Sequence, residues 1–109
     1  MISPDQIKSA YDEFLEKDEA HFQAEERRIE ATQTRENAYN AAFDEAVSMG
    51  ITDEAKKHQW AVKNTKLLLE EQHVAEKATR KAAHEYKQSG IKVDSLNKQV
   101  ESAKVALQK

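Results

Sequence analysis

After Pro4, no glycine or proline appears until Gly50, and after Gly50 only Gly90 interrupts the chain again. This spacing of helix breakers constrains the fold more than any other feature. Ser3, Pro4 and Gln6 form a helix start of the capping-box type: serine at the N-cap, proline at the first helical position, and glutamine two residues further on. The sequence therefore predicts a first helix over residues 4–49, roughly 70 Å long at about 1.5 Å per residue. The segments "MGITDE" (49–54) and "SGIKVD" (89–94) each read as a helix stop followed by a helix start. Glycine adopts the left-handed conformation that closes a helix without a Cβ clash, and the following isoleucine returns to the helix end. Ile51 is expected over Ala46, and Ile91 over Tyr86. Thr52, followed by Asp53 and Glu54, is read as the cap of a second helix over 53–89. Asp94, followed by Ser95, is read as the cap of a third over 95–109.

Composition supports long helices. About half of the chain is Ala, Glu, Lys, Leu or Arg, the composition of extended helices and coiled coils. Leu, Ile, Val and Phe are scarce, which raises disorder in isolation as the competing reading, but a net charge of −3 gives little self-repulsion. Helix 1 carries a 3.6-residue stripe of Ile7, Tyr11, Phe14, Phe22, Ile29, Tyr39, Phe43 and Val47, thinned by Asp18, Glu25, Thr32 and Glu36. Ala61, Thr65, Leu68, Ala75, Thr79, Ala82 and Tyr86 follow at heptad spacing, and then Leu96, Val100, Ala103 and Leu107. No stretch alternates with period two long enough to suggest a strand. The expected fold is all-α and a single domain over 1–109. It is a long, coiled-coil-like antiparallel hairpin whose short third helix folds back over Tyr11, Phe14, Leu15 and Phe22. Apolar surface that the third helix cannot reach, above all Leu67, Leu68 and Leu69, calls for a partner, and a second copy would complete a four-helix arrangement.

Several chemistries are disfavoured by the same residues. There is no cysteine, hence no disulfide framework and no thiolate metal site, as in a reducing compartment. No apolar run approaches a membrane span, and the first ten residues lack the pattern of a secretory signal; a cytoplasmic location is the expectation. "DEAH" at 18–21 matches the letters of a helicase box but has neither a preceding strand nor a phosphate loop. Asp18-x-x-His21 and Glu70-x-x-His73 have the spacing of helical metal sites, yet solvated surface charge explains them as well. His21 and His84 are candidates for a pH-sensitive contact, or for simple rim positions. No Ser/His/Asp spacing forces a triad, and a thin helical body has little room for an enclosed pocket. The chain reads as a non-enzyme without a cofactor.

Interaction is the better expectation. Residues 1–50 contain 5 basic and 12 acidic residues, and residues 51–109 contain 12 basic and 8 acidic. The two halves can complement each other along the hairpin. Alternatively Lys77, Arg80, Lys81 and Lys87, with His84, form a basic face for phosphate, although the chain is acidic overall and lacks interleaved aromatics. Trp60, Tyr39 and Phe43, with Val47 and Met49, gather near the tip. They either close the hairpin on themselves or, with Leu67, Leu68 and Leu69, form a partner or dimer interface. The leading expectation is an adaptor, chaperone or inhibitor that occludes or bridges a protein partner. A self-assembling scaffold subunit of secretion or phage type comes next, then a nucleic-acid accessory protein.

Overall fold

The computed structural model describes residues 2–108 and is all-α, a helical hairpin of three helices. They are α1 (Pro4–Ser48), α2 (Glu54–Asn64) and α3 (Lys66–Gln108). Met1 and Lys109, the end residues of the expected domain and third helix, lie outside the described residues. Two compact units are defined by contacts. One comprises Met1–Gln23 with Arg80–Lys109, the other Ala24–Thr79.

The start of α1 is the capping box foreseen from the sequence. The Gln6 amide donates to Ser3 Oγ at 3.2 Å, and the Ser3 amide donates to Gln6 Oε1 at 2.8 Å. Its end is a Schellman turn: Gly50 has φ +84°, its amide donates to the Val47 carbonyl, and the Ile51 amide donates to the Ala46 carbonyl. The cap of α2 is Asp53 rather than Thr52. The Asp53 carboxylate accepts from the amides of Ala55 and Lys56 at 2.8 and 3.3 Å, a stronger acceptor at a helix N-terminus than a hydroxyl.

The expected helices 53–89 and 95–109 are both corrected. The first is broken at Thr65, which has φ −119° and ψ 13°. The Thr65 hydroxyl donates to the Ala61 carbonyl at 2.7 Å. The Thr65 amide donates to the Val62 carbonyl, three residues back rather than four, and the ladder steps there. Gly90, by contrast, does not stop a helix. It lies inside α3, and Gly50 is the one described glycine with positive φ. No third helix folds back. A Cβ at Gly90 would lie 3.3 Å from the ring of Phe14, so this glycine makes room for an aromatic packed against the helix. Ile91, expected to close a helix end over Tyr86, is exposed on the helix surface.

Along α3 the buried and half-buried residues alternate by three and four: Leu68, Gln72, Ala75 and Thr79 in one unit, then Ala82, Tyr86, Ser89, Val93, Leu96 and Val100 in the other. This heptad runs through Gly90 without a phase change. On α1 the inward face carries small or polar residues, among them Ala10, Lys17, Ala24, Ala31 and Ala38 at intervals of seven. The buried apolar residues are Ala10, Ala24, Ala42, Ala46, Ala61 and Val93, and no large side chain is fully buried among the described residues. The stripe of large residues read from the sequence is therefore the seam only in part. Ile7, Phe14, Tyr39 and Phe43 are half-buried, whereas Tyr11, Phe22, Ile29 and Val47 are exposed.

In the Ala24–Thr79 unit that approach is close enough for the Thr79 hydroxyl to reach the Ala24 carbonyl on the facing helix at 3.0 Å. Arg35 hydrogen-bonds Gln72 across the same seam. In the other unit, antiparallel register is set by Glu13 with Lys92 and Lys17 with Glu85, and by the Phe14 and Tyr86 rings, 5.1 Å apart.

Replacing Gly50 by alanine forces a Cβ into the left-handed region and is expected to lower stability by about 1 kcal/mol. Replacing Gly90 by alanine is expected to leave the helical circular-dichroism signal intact, since the residue is already helical. Thermal melts of the two variants check the contrast; loss of helicity in the Gly90 variant would mean that α3 breaks there.

Candidate functional site

The residues singled out from the sequence fall into distinct environments. Trp60 is half-buried, and its indole Nε1 is buried with no hydrogen-bond partner among the described atoms. Tyr39 and Phe43 are half-buried on α1 with ring centroids 6.3 Å apart. The Tyr39 hydroxyl lies 2.6 Å from His58 Nδ1, and the Lys57 ammonium stands 5.7 Å from the centre of the Phe43 ring. This cluster holds α1 to α2 next to the turn. Its members Lys57 and His58 were missed as site residues, although they lie four and three residues before Ala61 and thus on the side marked by the heptad through Ala61 and Thr65.

The leucine triplet splits. Leu68 and Leu69 are half-buried, while Leu67 is 74% exposed. One heptad further along α3, Val74 is 69% exposed. Lys77, Arg80, Lys81 and Lys87 are all exposed, and none forms an ion pair among the described residues. His21 stacks on Tyr86, with centroids 5.6 Å apart and planes at 22°, and His84 is exposed. Among the described residues, no three His, Asp or Glu side chains come together as metal ligands. No described helix is long and apolar enough to cross a membrane.

The most distinctive surface belongs to the unit formed by Met1–Gln23 and Arg80–Lys109, on residues that the sequence places under a covering helix. The two flanks of this helix pair differ. On one, charges are satisfied internally: Lys92 donates to Glu13 at 3.1 Å and Lys17 to Glu85 at 3.5 Å. The other carries Tyr11, Leu15 and Phe22 on α1, spaced by four and seven and thus on one helical side. They are 42, 62 and 59% exposed. Near them, Tyr11 exchanges hydrogen bonds with Asn97 on α3. By heptad position, Arg80, Ala83, Lys87, Gly90, Asp94 and Glu101 of α3 share this flank with Asn97. Asp12, Asp18 and Glu19 border the apolar residues, and like Arg80 and Lys87 they take no part in any ion pair among the described residues. The signal in the sequence is Leu15 and Phe22 seven apart, one residue out of phase with Phe14 and His21, which occupy the seam.

Compared with protein-family models, curated proteins and solved structures, the chain matches none at a significant level.

Trp60 tests whether the cluster near the turn is structural. Trp60→Phe removes an unpartnered donor while keeping ring packing, and is expected to cost under about 1 kcal/mol. Trp60→Ala is expected to cost about 2–3 kcal/mol through lost packing. Urea unfolding followed by circular dichroism checks both values.

Proposed function

We propose that this chain is a non-enzymatic protein-binding module whose helices present an apolar flank to a protein partner. One observation carries the reading: the side chains buried between the helices are chiefly alanine, threonine and serine, while Leu15 and Phe22 point outward at heptad spacing. A helix pair that needed nothing further would place those residues inside, where each large side chain contributes about 1.5–3 kcal/mol when fully buried. Heptad-spaced apolar residues on an outer helix face are the usual means by which helices engage other helices. A self-assembling scaffold subunit uses the same surface and differs only in how many copies associate. Phosphate binding is the weaker reading for Arg80 and Lys87, since Asp18 belongs to the same flank of the unit and opposes an incoming anion.

The test is capture from extracts of the cells that produce the protein, using the tagged chain and its Leu15→Glu, Phe22→Glu double variant. Both substitutions lie at exposed positions, so the helical signal is expected to stay within a few per cent of the parent. Retention of a specific protein by the parent and its loss in the variant supports the reading. Equal retention by both overturns it.

A further inference from the structure

We infer that the partner on the Tyr11–Leu15–Phe22 flank is a second copy of this chain, packed about a two-fold axis parallel to the helices so that α1 of each copy lies against α3 of the other. This rests on the protein-binding reading above and names its partner.

Charge selects the arrangement. On the exposed flank of the unit, α1 carries Lys8 near its start and then Asp18, bordered by Asp12 and Glu19, while α3 carries Arg80 and Lys87 followed, seven and fourteen residues after Lys87, by Asp94 and Glu101. Asp12, Asp18, Glu19, Arg80 and Lys87 form no ion pair among the described residues, although the opposite flank has Glu13–Lys92 and Lys17–Glu85. A two-fold axis perpendicular to the helices sets α1 against α1 and brings Asp12, Asp18 and Glu19 towards the same acids of the second copy. An axis parallel to the helices sets α1 against α3 and brings unlike charges together.

Register then names the contacts. Within the unit, Glu13 is level with Lys92, Lys17 with Glu85 and His21 with Tyr86. Rotation about an axis parallel to the helices preserves level, so a residue of α1 meets the α3 residues of the second copy that are level with it in its own. Asp18 thereby faces Lys87 of the second copy. Phe22 faces Ala83, a small residue that leaves space for a ring. Leu15 comes level with Gly90, where the Phe14 ring of the same copy fills the space left by the missing side chain, and so meets the edge of that ring. The symmetry makes every contact twice. Four helices then enclose Leu15 and Phe22, as the two helices of one copy do not.

The purified chain is expected to sediment as a dimer at concentrations of about 10 µM, within the range of modest helical interfaces. Phe22→Glu is expected to sediment as a monomer with its helical signal kept. Asp18→Lys and Lys87→Asp alone are each expected to weaken the dimer by about tenfold or more, because each substitution acts at two symmetry-related contacts. Mixing these two variants is the decisive measurement. In the heterodimer the new base at position 18 of one chain meets the new acid at position 87 of the other. The second contact keeps the parent pair, Asp18 with Lys87, so association is expected to return to the parent level. Failure of the mixture to associate overturns the arrangement, as does tighter association of Asp18→Lys alone, which points to α1 against α1. A chain that stays monomeric while its capture of another protein still depends on Phe22 overturns the second copy as occupant and leaves the protein-binding reading standing. A monomer with no capture dependent on that flank removes both.

Discussion

The hydrogen bond from the Thr79 hydroxyl to the Ala24 carbonyl, at 3.0 Å across two helices, shows the constraint on which the architecture depends. A side chain as short as threonine reaches a backbone carbonyl on the neighbouring helix only where the facing residues are very small. Alanines supply that at positions 24, 42, 46 and 61, all buried. Close approach gives good dispersion contact along the backbones, and it leaves little volume for a larger side chain beside those alanines; Phe14 packs inward where it meets Gly90. The buried hydroxyls must be satisfied, and they are: Thr65 bonds the Ala61 carbonyl, Thr79 also bonds the Ala75 carbonyl, and Ser89 bonds the Tyr86 carbonyl. Leu15, Phe22, Ile29 and Val47 lie outside. An alanine seam and an apolar surface thus occur together.

Side-chain polarity within the seam adds specificity where burial is weak. Arg35 with Gln72, and Gln72 with Glu76, form a chain of hydrogen bonds in the Ala24–Thr79 unit. Such contacts add little net stability when half exposed, but a shift of register by one heptad would leave them unpaired. The Lys17–Glu85 and Glu13–Lys92 pairs act in the same way in the other unit.

Much of this was legible in the sequence where the signal is local. Ser3, Pro4 and Gln6 define a helix start by backbone chemistry that needs no tertiary contact, and Gly50 followed by Ile51 defines a stop in the same way. Gly90 shows where local reading fails. Its neighbours, Ser89 and Ile91, suit a helix end as well as those of Gly50 do, and only the heptad carried across it by Tyr86, Ser89, Val93 and Leu96 marks it as interior. Thr65 was illegible for a different reason, since many helices carry a threonine whose hydroxyl back-bonds without a break. The inward face of α1 was misassigned because hydrophobicity ranks Phe22 and Ile29 above Ala24 and Ala31, whereas the space between close helices ranks them in reverse. The candidate site followed from that error: once the alanines take the seam, Leu15 and Phe22 are left outside.

The turn at Gly50 also gives the folding reaction a direction. The contact between Tyr39 and His58 spans 19 residues of chain, while that between Tyr11 and Asn97 spans 86. Closing the longer loop first costs about 1 kcal/mol more in chain entropy than closing the shorter. Contacts nearest the turn therefore form at the lowest cost, and each makes the next loop effectively shorter, as teeth do in a zip. The flank bearing Leu15 and Phe22 lies farther from the turn, where the loops to be closed are longer.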